Sequence, residues 1–159
     1  MRRMLPILLL ALALVPLGVV TADAGLSGSS HERHEGTTHT VTIPDEDRFA
    51  PFALTIHVGD RVRWVNNDTD DHTVVSDDAF DTAGHQGTDH VIPANGGTFM
   101  LRFNHPGAFV YYCRFHAHMD GFNQPVAPGP DGGIQDGNGN YGTPMSGVIT
   151  VLGGDGDRS

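Results

Sequence analysis

An all-β fold, a sandwich or barrel of about seven to eight short strands, is what the chain predicts. Apolar residues between Val41 and Leu152 recur with period two, and turn residues break the alternation at short intervals. No amphipathic helical pattern of useful length interrupts them.

Taken in order, Val41–Ile43 opens the series. Leu54, Ile56 and Val58 alternate with Ala53, Thr55 and His57. Gly59-Asp60 then turns the chain into Arg61–Asn66, where Val62 and Trp64 share a face. Thr73–Ser76 forms the next run. Phe99, Leu101 and Phe103 alternate with Thr98, Met100 and Arg102, and Asn104–Gly107 makes another turn. Phe109, Tyr111 and Cys113 alternate with Val110 and Tyr112. Ile149 and Val151 close the series, facing away from Val148, Thr150 and Leu152. Two stretches do not read as strands: Asp77–Asn95, a long connection around Phe80, and Phe122–Thr143, rich in Gly, Pro, Asn and Asp. Connections of that length are generally functional or disordered.

At 159 residues and 17.0 kDa the chain has room for one domain. All nine of its basic residues are Arg, against 19 acidic ones, and the formal charge is −10. Such a surface repels phosphate backbones, so nucleic acid is excluded as a partner class. Residues 1–24 read as a signal peptide: Arg2 and Arg3 precede an apolar run from Leu5 to Val20, and Ala22-Asp23-Ala24 offers a cleavage site. The run is shorter than the roughly 20 residues of a spanning helix. A membrane association therefore requires the signal to stay uncleaved. Removing it leaves a formal charge of −11 and an extracytoplasmic protein, periplasmic, secreted or attached at the cell surface. Residues 25–40 read as a flexible polar linker, with His31, His34 and His39 solvated; 41–152 is the domain; 153–159 is a polar tail.

Cys113 is the only cysteine. A free thiol in oxidising surroundings is liable to oxidation once accessible. A bound metal would occupy it. His116 and His118 follow at Cys-x2-His and Cys-x4-His spacing, and His72 sits just before a predicted strand. One thiolate and two imidazoles with a weak thioether select copper and form a blue electron-transfer site. Met119 and Met145 are the available thioethers.

The segment Phe109-Val-Tyr-Tyr-Cys-Arg-Phe-His116 resembles the Cys–His loop of the cupredoxins, the plastocyanin, amicyanin and azurin family. The stretch from Leu54 to Asp68 resembles the early strand pair leading to the family's first ligand, here His72. Phe80-Asp81-Thr82, Ile92-Pro93 and Gly97-Thr98-Phe99 match its middle, and Met145-Ser-Gly-Val-Ile-Thr-Val151 its end. The resemblance implies a Greek-key β-sandwich holding one type 1 copper ion on His72, Cys113, His116 and Met145. His116 has the plastocyanin-like spacing and is favoured over His118, which has the azurin spacing. Met145 opens the final strand and is favoured over Met119, which has the amicyanin-like His-x2-Met spacing. Choosing Met145 makes residues 122–143 an insertion in the ligand loop, a potential lid for a partner.

The remaining candidates are weaker. His57 and His105 fall at a strand end and a turn; His85 and His90 lie in the long connection. Asp68, Asp70 and Asp71 lack the Gly and distal Glu of a calcium loop and read as a solvated turn. No catalytic signature stands out, so the expected function is a monomeric one-electron carrier and not an enzyme. Its redox partner would present a basic docking surface. Copper storage or delivery is the alternative, motivated by the His-bearing linker, His118 and Met119. Tyr112 and Arg114 flank Cys113 where a multicopper oxidase would carry His.

Overall fold

The computed structural model describes residues 35–76, 87–130, 132–136 and 138–153. Among them there is no helix and there are ten strands: β1 Thr38–Ile43, β2 Ala53–His57, β3 Arg61–Asn66, β4 His72–Ser76, β5 Thr88–Ile92, β6 Gly97–Arg102, β7 Gly107–Tyr112, β8 His118–Met119, β9 Pro125–Val126 and β10 Ser146–Leu152. The expected all-β architecture is present. One sheet has the order β1-β3-β6 and the other β2-β10-β7-β4-β5, with β8-β9 as a separate ribbon. β1 runs parallel to β3 and β2 parallel to β10, whereas the other pairs are antiparallel.

The inward faces of both large sheets supply a single apolar cluster that includes Val41, Ile56, Trp64, Phe109, Tyr111 and Ile149. Trp64 of β3 meets Tyr111 of β7 edge-on at 5.4 Å, and Phe49 meets the same ring at 4.8 Å. Each such fully buried side chain contributes about 1.5–3 kcal/mol by leaving water. Gly147 lies opposite Tyr111 in the β10–β7 register, and a Cβ there would stand 2.5 Å from the phenol oxygen. The final strand passes over that ring only as glycine.

Two elements differ from the sequence expectation. β5 lies inside the connection expected between Asp77 and Asn95. Only Ile92 of its five residues is buried, so an edge strand with one apolar anchor leaves no period-two signal. The parts of that connection around Phe80, together with His85, lie outside the described residues. β1 begins at Thr38, within the segment read as linker, and His39 is no free arm residue. Its Nε2 is 2.9 Å from the buried Asp60 carboxylate, which also accepts the Thr37 and His57 amides.

The described residues of the 122–143 stretch are built rather than loose. The ribbon β8–β9 is closed by Asp120, whose Oδ1 accepts the Phe122 and Gln124 amides. Asp136 accepts the Asn138 and Asn140 amides in the same manner. Ile134 bridges to Thr143 and is buried in the main core. That bridge delivers Met145 to the start of β10.

Candidate metal centre

β4, β7 and β10 are neighbours, and His72, Cys113 and Met145 lie at the same end of the three. His72 is the first residue of β4, Cys113 follows β7 and Met145 precedes β10. The Cys113 amide donates to the Met145 carbonyl at 3.0 Å, and the His116 amide turns back to the Cys113 carbonyl at 3.0 Å. His72, Cys113 and Met145 are all fully buried.

Donor atoms of His72, Cys113 and His116 lie within 4.8 Å of one another. The His72 Nδ1 is 3.7 Å from Cys113 Sγ, and the two imidazole rings are 5.4 Å apart. His116 Nδ1 is buried and has no hydrogen-bond partner. A buried ring nitrogen left bare costs about 1–3 kcal/mol. A soft cation between two imidazole nitrogens and a thiolate removes that cost, and the donor set matches copper. The residues fit the metal.

Electrostatics favour the ionised sulfur. Burial opposes ionisation of Cys113, but the adjacent His116 and His72 imidazoles and the amides of Thr73 and Phe115 bring its pKa from 9.0 down to about 6. Burial would likewise lower His72, yet hydrogen bonding to Cys113 and Asp68 raises it. For His116 the neighbouring Cys113 sulfur is the main cause of a raised value, against burial.

Among the outer partners, Asp68 and Asn66 are the residues that sequence reasoning undervalued. Asp68, expected in a solvated turn, is buried, and its Oδ2 is 3.1 Å from His72 Nε2. Burial raises its pKa, but the bonds from His72 and the Thr69 amide outweigh that and leave it lowered. Such a carboxylate fixes the ring so that Nδ1 faces the thiolate. No sequence signal pairs Asp68 with His72, because a turn and not a helix separates them. Asn66, fully buried, holds this loop. Its Nδ2 donates to the Asp70 and Ile92 carbonyls, and its Oδ1 accepts the Asp68 amide. Thr73 locks the other side: its amide points to Cys113 Sγ at 3.4 Å, while Oγ1 accepts the Arg114 amide at 2.9 Å.

Other sequence candidates lie elsewhere. His118 is exposed on β8. Met119 is half-buried against Val75, Tyr112 and Ala117, a cluster separate from the one holding Cys113 and Met145. His57 and His105 are exposed. His90 stacks on Phe99 at 4.2 Å. Asp70 and Asp71 are exposed, and Asp71 accepts the Ala94 amide at 2.8 Å. His31 and His34 lie outside the described residues.

A family model for copper-binding proteins of the plastocyanin/azurin family matches residues 36–123, just over half of the chain. The matched region contains His72, Cys113, His116 and Met119 and stops before Met145. Among solved structures, the reduced state of a single-site amicyanin variant is 20% identical, with 76% of this chain and 87% of that chain covered at a TM-score of 0.48. A novel purple cupredoxin from Nitrosopumilus maritimus is 21% identical, covering 71% and 98% at a TM-score of 0.45.

Proposed function

Because the chain belongs to the plastocyanin/azurin family of copper-binding proteins and takes copper as its cofactor, we propose that it is an exported one-electron carrier. The proposed ligands are His72, Cys113, His116 and, as the weak axial thioether, Met145. The observation that carries this reading is the convergence of one buried sulfur and two imidazoles, one of which presents an otherwise unpartnered Nδ1.

Copper supplies the one-electron exchange between its two oxidation states. The chain supplies a cage that suits both. Soft sulfur favours the reduced ion and imidazole the oxidised one. β4, β7 and β10 hold the donors on a rigid sheet, and the Thr73, Asn66 and Asp68 hydrogen bonds hold the loops between them. A preformed cage rearranges little when its charge changes. Burial of Cys113 also speaks against copper delivery, since a metal to be handed on needs an accessible sulfur. His116 is only partly buried and is the proposed electron port.

The signal-like residues 1–24 support export. The charge of −11 left once residues 1–24 are removed supports a basic redox partner. The test is addition of Cu(II) to the metal-free protein. An intense visible thiolate-to-copper band is expected, reversibly bleached by reductant. A colourless complex, or binding of Cu(I) alone, would sink the carrier.

A further inference from the structure

His72 presents its outer nitrogen to two carboxylates. Asp68 Oδ2 stands 3.1 Å from Nε2 and Asp47 Oδ1 stands 3.4 Å from it. A neutral imidazole with Nδ1 toward the thiolate has one Nε2 proton, and it can be shared well with only one acceptor. Asp68, buried and closer, takes that bond. Asp47 therefore contributes a second negative charge beside the ring without being needed to orient it.

The position of Asp47 is unusual in two respects. Its backbone is left-handed, with φ at 49°, a conformation that Asp and Asn adopt more readily than most residues. Its side chain is 43% exposed, and it lines a cleft of about 550 Å³ together with Asp45, Glu46, Arg48, Asp136 and Tyr141. One carboxylate thus touches the buried ligand on one side and an acidic cleft on the other.

We infer that Asp47 is a redox-tuning residue that acts through His72 and is screened from the cleft. The inference rests on the copper-carrier reading above. The extra negative charge stabilises the doubly charged ion more than the singly charged one, and so holds the reduction potential down. Cations that enter the cleft weaken this effect, as would the basic side chains of a docked partner. Docking would then favour electron entry.

The experiment compares Asp47→Asn with the wild type and with Asp45→Asn, which removes the same charge from the same cleft without touching His72. Asn suits the left-handed backbone. The readout is the ratio of Cu(II) to Cu(I) affinity, equivalent to the reduction potential. Asp47→Asn should lower that ratio by about three- to thirtyfold, for a unit charge one imidazole ring away from the donors. Asp45→Asn should lower it by less than half as much on a logarithmic scale, and Asp47→Glu should restore most of it. Raising salt should lower the wild-type ratio more than that of Asp47→Asn. A visible band with an unchanged ratio in Asp47→Asn, or equal shifts in the two Asn variants, would overturn the inference. Absence of the band in the wild type would instead overturn the carrier reading and this one with it.

Discussion

Thr73→Val tests whether the lock on the thiolate is as the structure places it. Thr73 is fully buried, and valine preserves its shape. The substitution removes the acceptor of the Arg114 amide, 2.9 Å away, and the hydroxyl that reaches Cys113 Sγ at 3.6 Å. A part-buried amide without its acceptor costs about 1–3 kcal/mol. The long contact to sulfur is weak and adds a few tenths, so the total is about 2 kcal/mol. Urea unfolding of the metal-free protein reads it directly. With a slope of about 1–3 kcal/mol per molar, the midpoint should fall by about 1 M. Thr73→Ser keeps the hydroxyl and loses one methyl group, worth about 0.8 kcal/mol, and should fall less. In the copper-loaded protein the valine variant should have a lower potential, because a sulfur with one donor fewer gives more charge to the oxidised ion. A valine variant as stable as wild type, or a serine variant that loses as much, would refute the assignment of Thr73.

Three further outcomes follow from the site and its frame. Met145→Ala should shift the potential and the visible spectrum while Met119→Ala leaves both nearly unchanged; the reverse result would transfer the axial position to Met119. The Cys113 thiol of the metal-free protein should ionise near pH 6 rather than 9.0, and ultraviolet thiolate absorbance measures it. That downward shift contributes stability that is complete above the unfolded value and is lost as the pH falls through about 6, where protons also compete with copper for Sγ. A thiol midpoint at or above the ordinary value would contradict the imidazole-stabilised thiolate. Ile134→Ala should destabilise the protein by about 2–4 kcal/mol in denaturant titration, because this residue of the long insertion packs in the main core. A loss under about 0.5 kcal/mol would mean that the insertion is a detachable lid after all.

The parts of this protein that were legible in advance are those written in local periodicity. Val62 and Trp64, Phe109 and Tyr111, and Ile149 and Val151 alternate because each strand buries one face, and that alternation survives in a single sequence. The spacing from Cys113 to His116 is also local, because one tight turn spans both. β5 was not legible, since an exposed edge strand has no apolar face to alternate. Asp68 was misjudged for a related reason: a carboxylate beside two others reads as solvated until its partner is known.

By itself, then, the sequence determined an all-β domain, a lone sulfur with imidazoles at ligand spacing, and an acidic surface. Tertiary structure decided which distant residues reach the site. Asp47 comes from the loop between β1 and β2 and Asp68 from the turn before β4, and neither is related to Cys113 by a short sequence interval, whereas Met145 was already favoured by the family resemblance. The physical reason is that strand periodicity records only whether a side chain faces inward. Which inward residues meet depends on strand order and register, which hydrogen bonds between remote segments establish.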